Sequence, residues 1–292
     1  MIKNNFIISF GFKSLKTLIG VSLIVTFASC NLEPEIYDRI APNNFFQTVN
    51  DLKAATTSVY WELRTNGWSP YLCSDGSSFI MNEVATGEWT SRWSWEAFLN
   101  LDWIIGEKMV YGFYPSMMTA ISRATYVVEK IKDSPLSDDI KAPYIAEIRA
   151  LRAYWAFDLY RFYGCLPITV DRDVALYPKT DYRPSRPSKE WMLNFIESEL
   201  RAAANDLPKQ QSEYGRCTKG MALTKLLKFY MHEKEWSKAE GLTQEIMTLG
   251  YDLMDNYADI FKVENEQNKE IIFAVVCEPR DGFGLLWFAN TL

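Results

Sequence analysis

Between residues 68 and 103 the chain carries Trp68, Trp89, Trp93, Trp95 and Trp103, half of its ten tryptophans. Around them lie Asp75, Asn82, Glu83, Glu88, Arg92 and Asn100, with Gly67, Gly76 and Gly87 and the run Ser74-Asp75-Gly76-Ser77-Ser78. The stretch has no helical period and reads as a long loop, of the kind that serves function in compact domains. The chemistry that suits it is sugar recognition. A pyranose presents a face of C–H bonds that can lie on an indole ring, while its hydroxyls, each donor and acceptor, meet Asp, Asn, Glu and Arg at the edges. The competing reading is a satellite core beneath the loop, and composition alone leaves both open.

Other chemistries are poorly supplied. With His232 as the single histidine, neither a two-histidine metal site nor a His-to-His proton relay can be built. No GxSxG, HExxH or phosphate-binding glycine loop occurs, so no catalytic residue, metal or cofactor is expected. His232 itself reads as a helix-end residue beside Glu233. Asp138-Asp139 and the 264–270 segment read as solvated acidic turns. The net charge of −6 disfavours nucleic acid as a partner, because phosphate recognition needs clustered Lys and Arg.

Residues 1–29 read as an export signal: Lys3, Lys13 and Lys16 without an acid, then an apolar run from Leu18 to Phe27 too short to span a bilayer. Ala28-Ser29 directly before Cys30 resembles a bacterial lipoprotein processing site, with Cys30 lipidated. Without residues 1–29 the chain has 28 basic and 37 acidic residues, a net charge of −9, so lipid rather than basic charge would hold it to a membrane. Residues 30–42, with Pro34 and Pro42, read as the acylated tether. Cys73, Cys165, Cys217 and Cys277 are widely spaced and lack zinc-ligand spacing; buried free thiols are favoured over disulfides.

The elements that must position the loop are helices, because from Asn43 onward the apolar spacing is three and four. A helix capped by Asn50 or Asp51 runs to about Leu63, with Leu52, Ala55, Val59 and Leu63 on one face. A second spans about Trp103 to Ile131 and stops at Ser134-Pro135. The strongest follows Pro143, with Ile145, Ile148, Leu151, Trp155 and Leu159 in a wide apolar stripe and Glu147, Arg149, Arg152 and Arg161 on the remaining face. Gly164 and Pro167 end it. Residues 168–187 read as an extended crossing. Ser188 caps the next helix, with Trp191, Phe195, Ile196, Leu200 and Ala203 inward. Helices over about Lys219–His232 and Trp236–Leu249, joined by Glu233-Lys234-Glu235, form a hairpin whose Leu223, Leu226, Leu227 and Tyr230 face Ala239, partly matching a tetratricopeptide pattern. Ile271 to Val276 reads as a short strand. The expected fold is all-α, tetratricopeptide-like helical repeats with long irregular loops and little strand.

Three segments together resemble the SusD/RagB family of outer-membrane nutrient-binding lipoproteins. The run from Glu147-Ile148-Arg149-Ala150-Leu151-Arg152-Ala153-Tyr154 through Phe157-Asp158-Leu159-Tyr160 to Gly164 and Leu166-Pro167-Ile168 is similar to the family's hallmark helix and Gly-x-x-Pro turn. Gly215-Arg216, Lys219-Gly220, Ala222 and Trp236-Ser237-Lys238-Ala239 look like its repeat hairpin. Tyr257-Ala258-Asp259-Ile260-Phe261 and Asn268-Lys269-Glu270-Ile271-Ile272-Phe273 resemble its repeat-to-strand junction, and Asn44-Phe45-Phe46 its opening. The likeness covers nearly all of residues 30–278, so 43–278 is the expected helical-repeat domain and 279–292 an atypical tail.

The resemblance implies a non-enzymatic, lipid-anchored protein of the outer membrane, facing the cell exterior, that captures oligosaccharide and delivers it to a TonB-dependent transporter. The tryptophan-rich loop occupies the place where such proteins commonly set stacking residues. Trp93 and Trp95 are then the expected platforms, with Trp89 a further one, and Arg92, Asp75 and Asn82 the hydroxyl partners. A peptide-binding member of the family, an exported polysaccharide hydrolase and a tetratricopeptide scaffold are the alternatives. Family members are usually far longer, so 292 residues imply a truncated or frameshifted product.

Overall fold

The computed structural model describes residues 45–63, 82–87, 96–102, 104 and 108–276. Among them are eight α-helices: α1 Val49–Tyr60, α2 Glu96–Leu99, α3 Lys108–Lys132, α4 Asp138–Tyr163, α5 Arg172–Leu176, α6 Lys189–Asp206, α7 Lys219–His232 and α8 Trp236–Met247. Short 3-10 turns extend α1 over Trp61–Leu63 and follow α8 at Tyr257–Phe261 and Val263–Asn265. No strand occurs among the described residues. The segment 271–276, expected as a strand, is irregular chain with no ladder partner. It lies instead against the loop at Gly215, where a Cβ would come 2.7 Å from the Val276 side chain and 3.3 Å from the Ala274 carbonyl.

The helices form an array in which neighbours in space follow the chain. α3 and α4 are a hairpin across residues 133–137, α4 packs on α6, α6 on α7, and α7 on α8, while α1 lies across α3 and α4. Each of the long helices buries an apolar stripe against its neighbours, as in a solenoid. In α1 the stripe Leu52, Ala55, Val59 and Leu63 is buried, and in α3 so are Ala120, Ala124, Val127, Val128 and Ile131.

Local sequence sets most of the ends. Thr48, not Asn50 or Asp51, caps α1. Its hydroxyl accepts from the Asp51 N–H at 3.2 Å, and the Asp51 carboxylate accepts from the Thr48 N–H at 2.8 Å, a reciprocal capping box. α4 begins at Asp138 and takes Pro143 inside it. The proline forfeits only the bond to the Asp139 carbonyl, in an exposed first turn that water can serve. Gly164, at φ 74°, then ends the helix with its N–H on the Tyr160 carbonyl, as expected. α5 interrupts the expected crossing of residues 168–187, because Asp171 caps it through the Val174 N–H at 3.0 Å. Ser188 caps α6 through the Trp191 N–H at 3.1 Å. Trp191 does not point inward: it is 41% exposed and stacks parallel on Phe195 at 5.5 Å, while Met192 takes the buried position. The α7–α8 hairpin forms as read, with Lys234 at φ 62° making the turn; Leu223, Leu226, Tyr230 and Ala239 are buried, while Leu227 is half-buried.

α4 departs most from expectation. Of the charges set outside the apolar stripe, Glu147 and Arg152 are buried, and so is Asp158. Each is met by a different neighbour. Glu147 accepts from Arg216 at 3.0 and 3.1 Å, and Arg152 donates to Glu199 of α6, which Arg149 also reaches at 2.9 Å. Asp158 accepts from Lys225 of α7 at 2.8 Å.

Candidate functional site

Of the residues expected to bind sugar, Asn82 alone lies within the described structure. It opens a helical turn at residues 82–84 that buries Val84, is itself half-buried, and is followed by Thr86 bonded to the Glu83 carbonyl. Asp75, Trp89, Arg92, Trp93 and Trp95 lie outside the described residues, as do Cys30, Cys73 and Cys277. Cys165 and Cys217 are free thiols.

The point from which the tryptophan-rich segment departs is well defined. It follows Trp61–Leu63, the turn that ends α1, and this end is pinned from below. Tyr60 donates its phenol proton to Glu147 and accepts from the Cys217 N–H at 2.8 Å. Arg216 completes the cluster with its fork on Glu147 and its guanidinium 5.6 Å from the Tyr60 ring centroid. Burial pushes the Tyr60 phenol up, with the neighbouring Cys217 and Glu147 adding to it, so Tyr60 stays a neutral donor. Burial also raises Glu147, against the pull of Arg216 and Tyr60, and it drives the Cys217 thiol far up. The cluster binds α1, α4 and the α6–α7 connection together. Tyr60, Glu147 and Arg216 are each paired within it, so it acts as a fastening between these elements.

Beside this cluster is a cleft of about 320 Å³ whose walls include Trp61, Leu63, Tyr214, Arg216, Phe273 and Val276. Trp61 is 47% and Tyr214 41% exposed. Rings at a cleft mouth beside a fixed guanidinium can offer flat apolar area and directional donors together, which is what a sugar needs. Sequence reading missed Trp61 and Tyr214. Trp61 falls just before the cluster of tryptophans, and Tyr214 lies more than a hundred residues beyond it in the chain. A signal was present in Gly215-Arg216, whose glycine, at φ 88°, admits the 274–276 segment that makes the far wall. Among the described residues no group of His, Cys, Asp and Glu could hold a metal, and no helix is long and apolar enough to cross a membrane.

No family model matches the chain. It is similar to a SusD-like protein of Bacteroides ovatus, 24% identical over 301 residues that cover 96% of this chain and 52% of that one. Among solved structures it superimposes on a SusD-like protein from Bacteroides fragilis with a TM-score of 0.69 and 22% identity, covering 82% of this chain and 47% of that chain. It also superimposes on surface glycan-binding protein A from Bacteroides thetaiotaomicron in complex with laminarihexaose, with a TM-score of 0.63 and 21% identity, over 77% and 48% of the two chains. The chain spans about half the length of the curated relatives it matches.

Proposed function

We propose that the chain is a SusD/RagB-type protein of the cell surface that binds glycan, capturing oligosaccharide without cleaving it; the likeness to SusD-like proteins in sequence and fold supports this reading. The observation that carries this reading is the helical array itself, which the chain shares with solved structures that include one holding laminarihexaose. In this proposal Trp93 and Trp95 stack on pyranose faces, Trp89 extends the platform, and Arg92, Asp75 and Asn82 engage hydroxyls. A lipid on Cys30 holds the protein to the outer membrane, with the acidic surface kept off the anionic bilayer. Delivery to a TonB-dependent transporter is the remaining step of the proposal.

The test is titration of the purified protein with a panel of oligosaccharides, laminarihexaose and a xyloglucan oligosaccharide among them, followed by calorimetry and tryptophan fluorescence. Saturable binding with a shifted emission is the expected result, weakened by Trp93→Ala and Trp95→Ala. A flat isotherm and unmoved emission across the panel would overturn the reading. Release of reducing ends during incubation would replace binding by hydrolysis.

A further inference from the structure

A second concavity lies on the other side of the 213–216 wall. The α6–α7 connection, the chain leaving α8 and residues 267–274 enclose a cleft of about 390 Å³, within the range of roughly 300–1,000 Å³ typical of small-ligand sites. Two features build it. Gly220, the second residue of α7, lets the Tyr251 ring lie directly on the helix, where a Cβ would come 2.1 Å from the Tyr251 hydroxyl. Tyr214 is held across the opening by its hydroxyl, which donates to the Glu266 carbonyl at 2.7 Å and so ties the α6–α7 connection to the last segment. Tyr214, Tyr251 and Phe273 thus give the cleft three aromatic lining residues.

Part of the polar lining is exposed and uncommitted. Lys209, Gln210 and Gln267 border the cleft, and none of the three side chains makes a hydrogen bond or ion pair among the described residues. The other cations at or near this rim are engaged: Arg216 with Glu147, Lys219 with Glu245 at 3.5 Å and Lys269 with Asp252 at 3.3 Å. Two amides that each donate and accept, one uncommitted ammonium and flanking aromatic rings form a surface for a polyhydroxylated chain. They match an anion poorly, since one lysine supplies the only uncommitted charge among these residues.

We propose that this cleft is an oligosaccharide site in its own right, built from residues other than the tryptophans of residues 68–103, with Tyr214 as its stacking ring and Lys209, Gln210 and Gln267 as its hydroxyl partners. The proposal rests on the reading that the protein binds glycan. Two contacts along one chain would raise apparent affinity for a long polysaccharide above that for a short oligomer, because the second binding event is intramolecular.

The experiment compares the purified protein, a Lys209→Ala/Gln267→Ala double variant, Tyr214→Ala and a Trp93→Ala/Trp95→Ala double variant, each checked by circular dichroism. Each is titrated with laminarihexaose, a xyloglucan oligosaccharide and their parent polysaccharides. The expected result is residual oligomer binding in the tryptophan variant that Lys209→Ala/Gln267→Ala weakens by about tenfold or more when combined with it, in keeping with two lost hydrogen bonds. Tyr214→Ala does the same, and either cleft change alone lowers the preference for the long polymer. If the tryptophan variant loses all binding, or the cleft variants bind as the parent does, the second site is overturned while glycan binding stands. If no member of the panel binds the parent protein, both fall.

Discussion

The ammonium of Lys225 lies 2.8 Å from the Asp158 carboxylate and 3.4 Å from the centre of the Tyr154 ring, wholly inside the protein. Arg161 stands 3.8 Å from the same carboxylate. Removing a charge from water costs several kcal/mol, which the partner and the ring offset only while both are in place. The two halves of the pair are therefore not equivalent to mutation. Asp158→Ala strands the ammonium and is expected to cost about 3–5 kcal/mol, whereas Lys225→Met leaves Arg161 beside Asp158 and is expected to cost clearly less. Urea unfolding of the two variants checks this, and equal costs would contradict it.

The same lysine predicts a pH dependence. Burial pulls Lys225 down to about 8, against the upward pull of Asp158. Its folded value is below its unfolded one, so between about pH 8 and the ordinary lysine range the unfolded chain binds more protons and stability rises with pH. Above about pH 10 the trend reverses, because burial holds Tyr163 and Tyr230 up to about 12 and the unfolded chain loses those protons first. Stability measured from pH 7.5 to 9.5 should climb in the parent protein and be flatter in Lys225→Met.

Arg216→Ala tests the fastening beneath the site. It leaves the buried Glu147 carboxylate with Tyr60 alone and is expected to cost about 3–5 kcal/mol at pH 7. Glu147 is already raised by burial, so its protonated form favours the folded state and stability is lost as pH rises through its folded value. Without Arg216 that value moves higher. The gap between variant and parent should therefore narrow as pH falls toward the carboxylate range, and a gap independent of pH would refute the assignment.

The two described thiols should differ in reactivity. Cys217 is fully buried, with burial holding its thiol well above the ordinary range, whereas Cys165 is partly exposed. Alkylation followed by mass mapping should label Cys165 in the native protein, and Cys217 only once denaturant opens the fold.

Gly220→Ala is expected to displace the Tyr251 ring, at a cost of about 1–3 kcal/mol for overpacking. Differential scanning calorimetry measures the loss, and a melting point equal to that of the parent would show that the ring moves freely.

Helix positions were legible because apolar spacing and the caps Ser188, Gly164 and Pro167 act within a few residues of themselves. The α1 cap was misread because Asp51 serves as the third residue of a box rather than as its first. Trp191 was misplaced because hydrophobicity alone does not say which of two adjacent apolar residues, Trp191 or Met192, takes the buried slot. Segment 271–276 has strand composition, but a strand exists only with a partner, and none of the described chain supplies one. The buried charges of α4 were invisible because their partners stand 47 to 69 residues away. For the site, residue chemistry points to the tryptophan-rich segment as a proposal, while the two clefts beside Tyr214 depend on chain crossings that no local pattern encodes.

α4 addresses Glu147, Arg152 and Asp158 to three separate pieces of chain. Peeling the α7–α8 hairpin away would uncover Asp158, and lifting α6 would release Arg152. Fraying from either direction must therefore solvate α4 as well, so the array should open as one cooperative block rather than repeat by repeat. Native-state hydrogen exchange would then find the α4, α6 and α7 amides sharing a single opening free energy, which sets this chain apart from solenoids whose ends melt first.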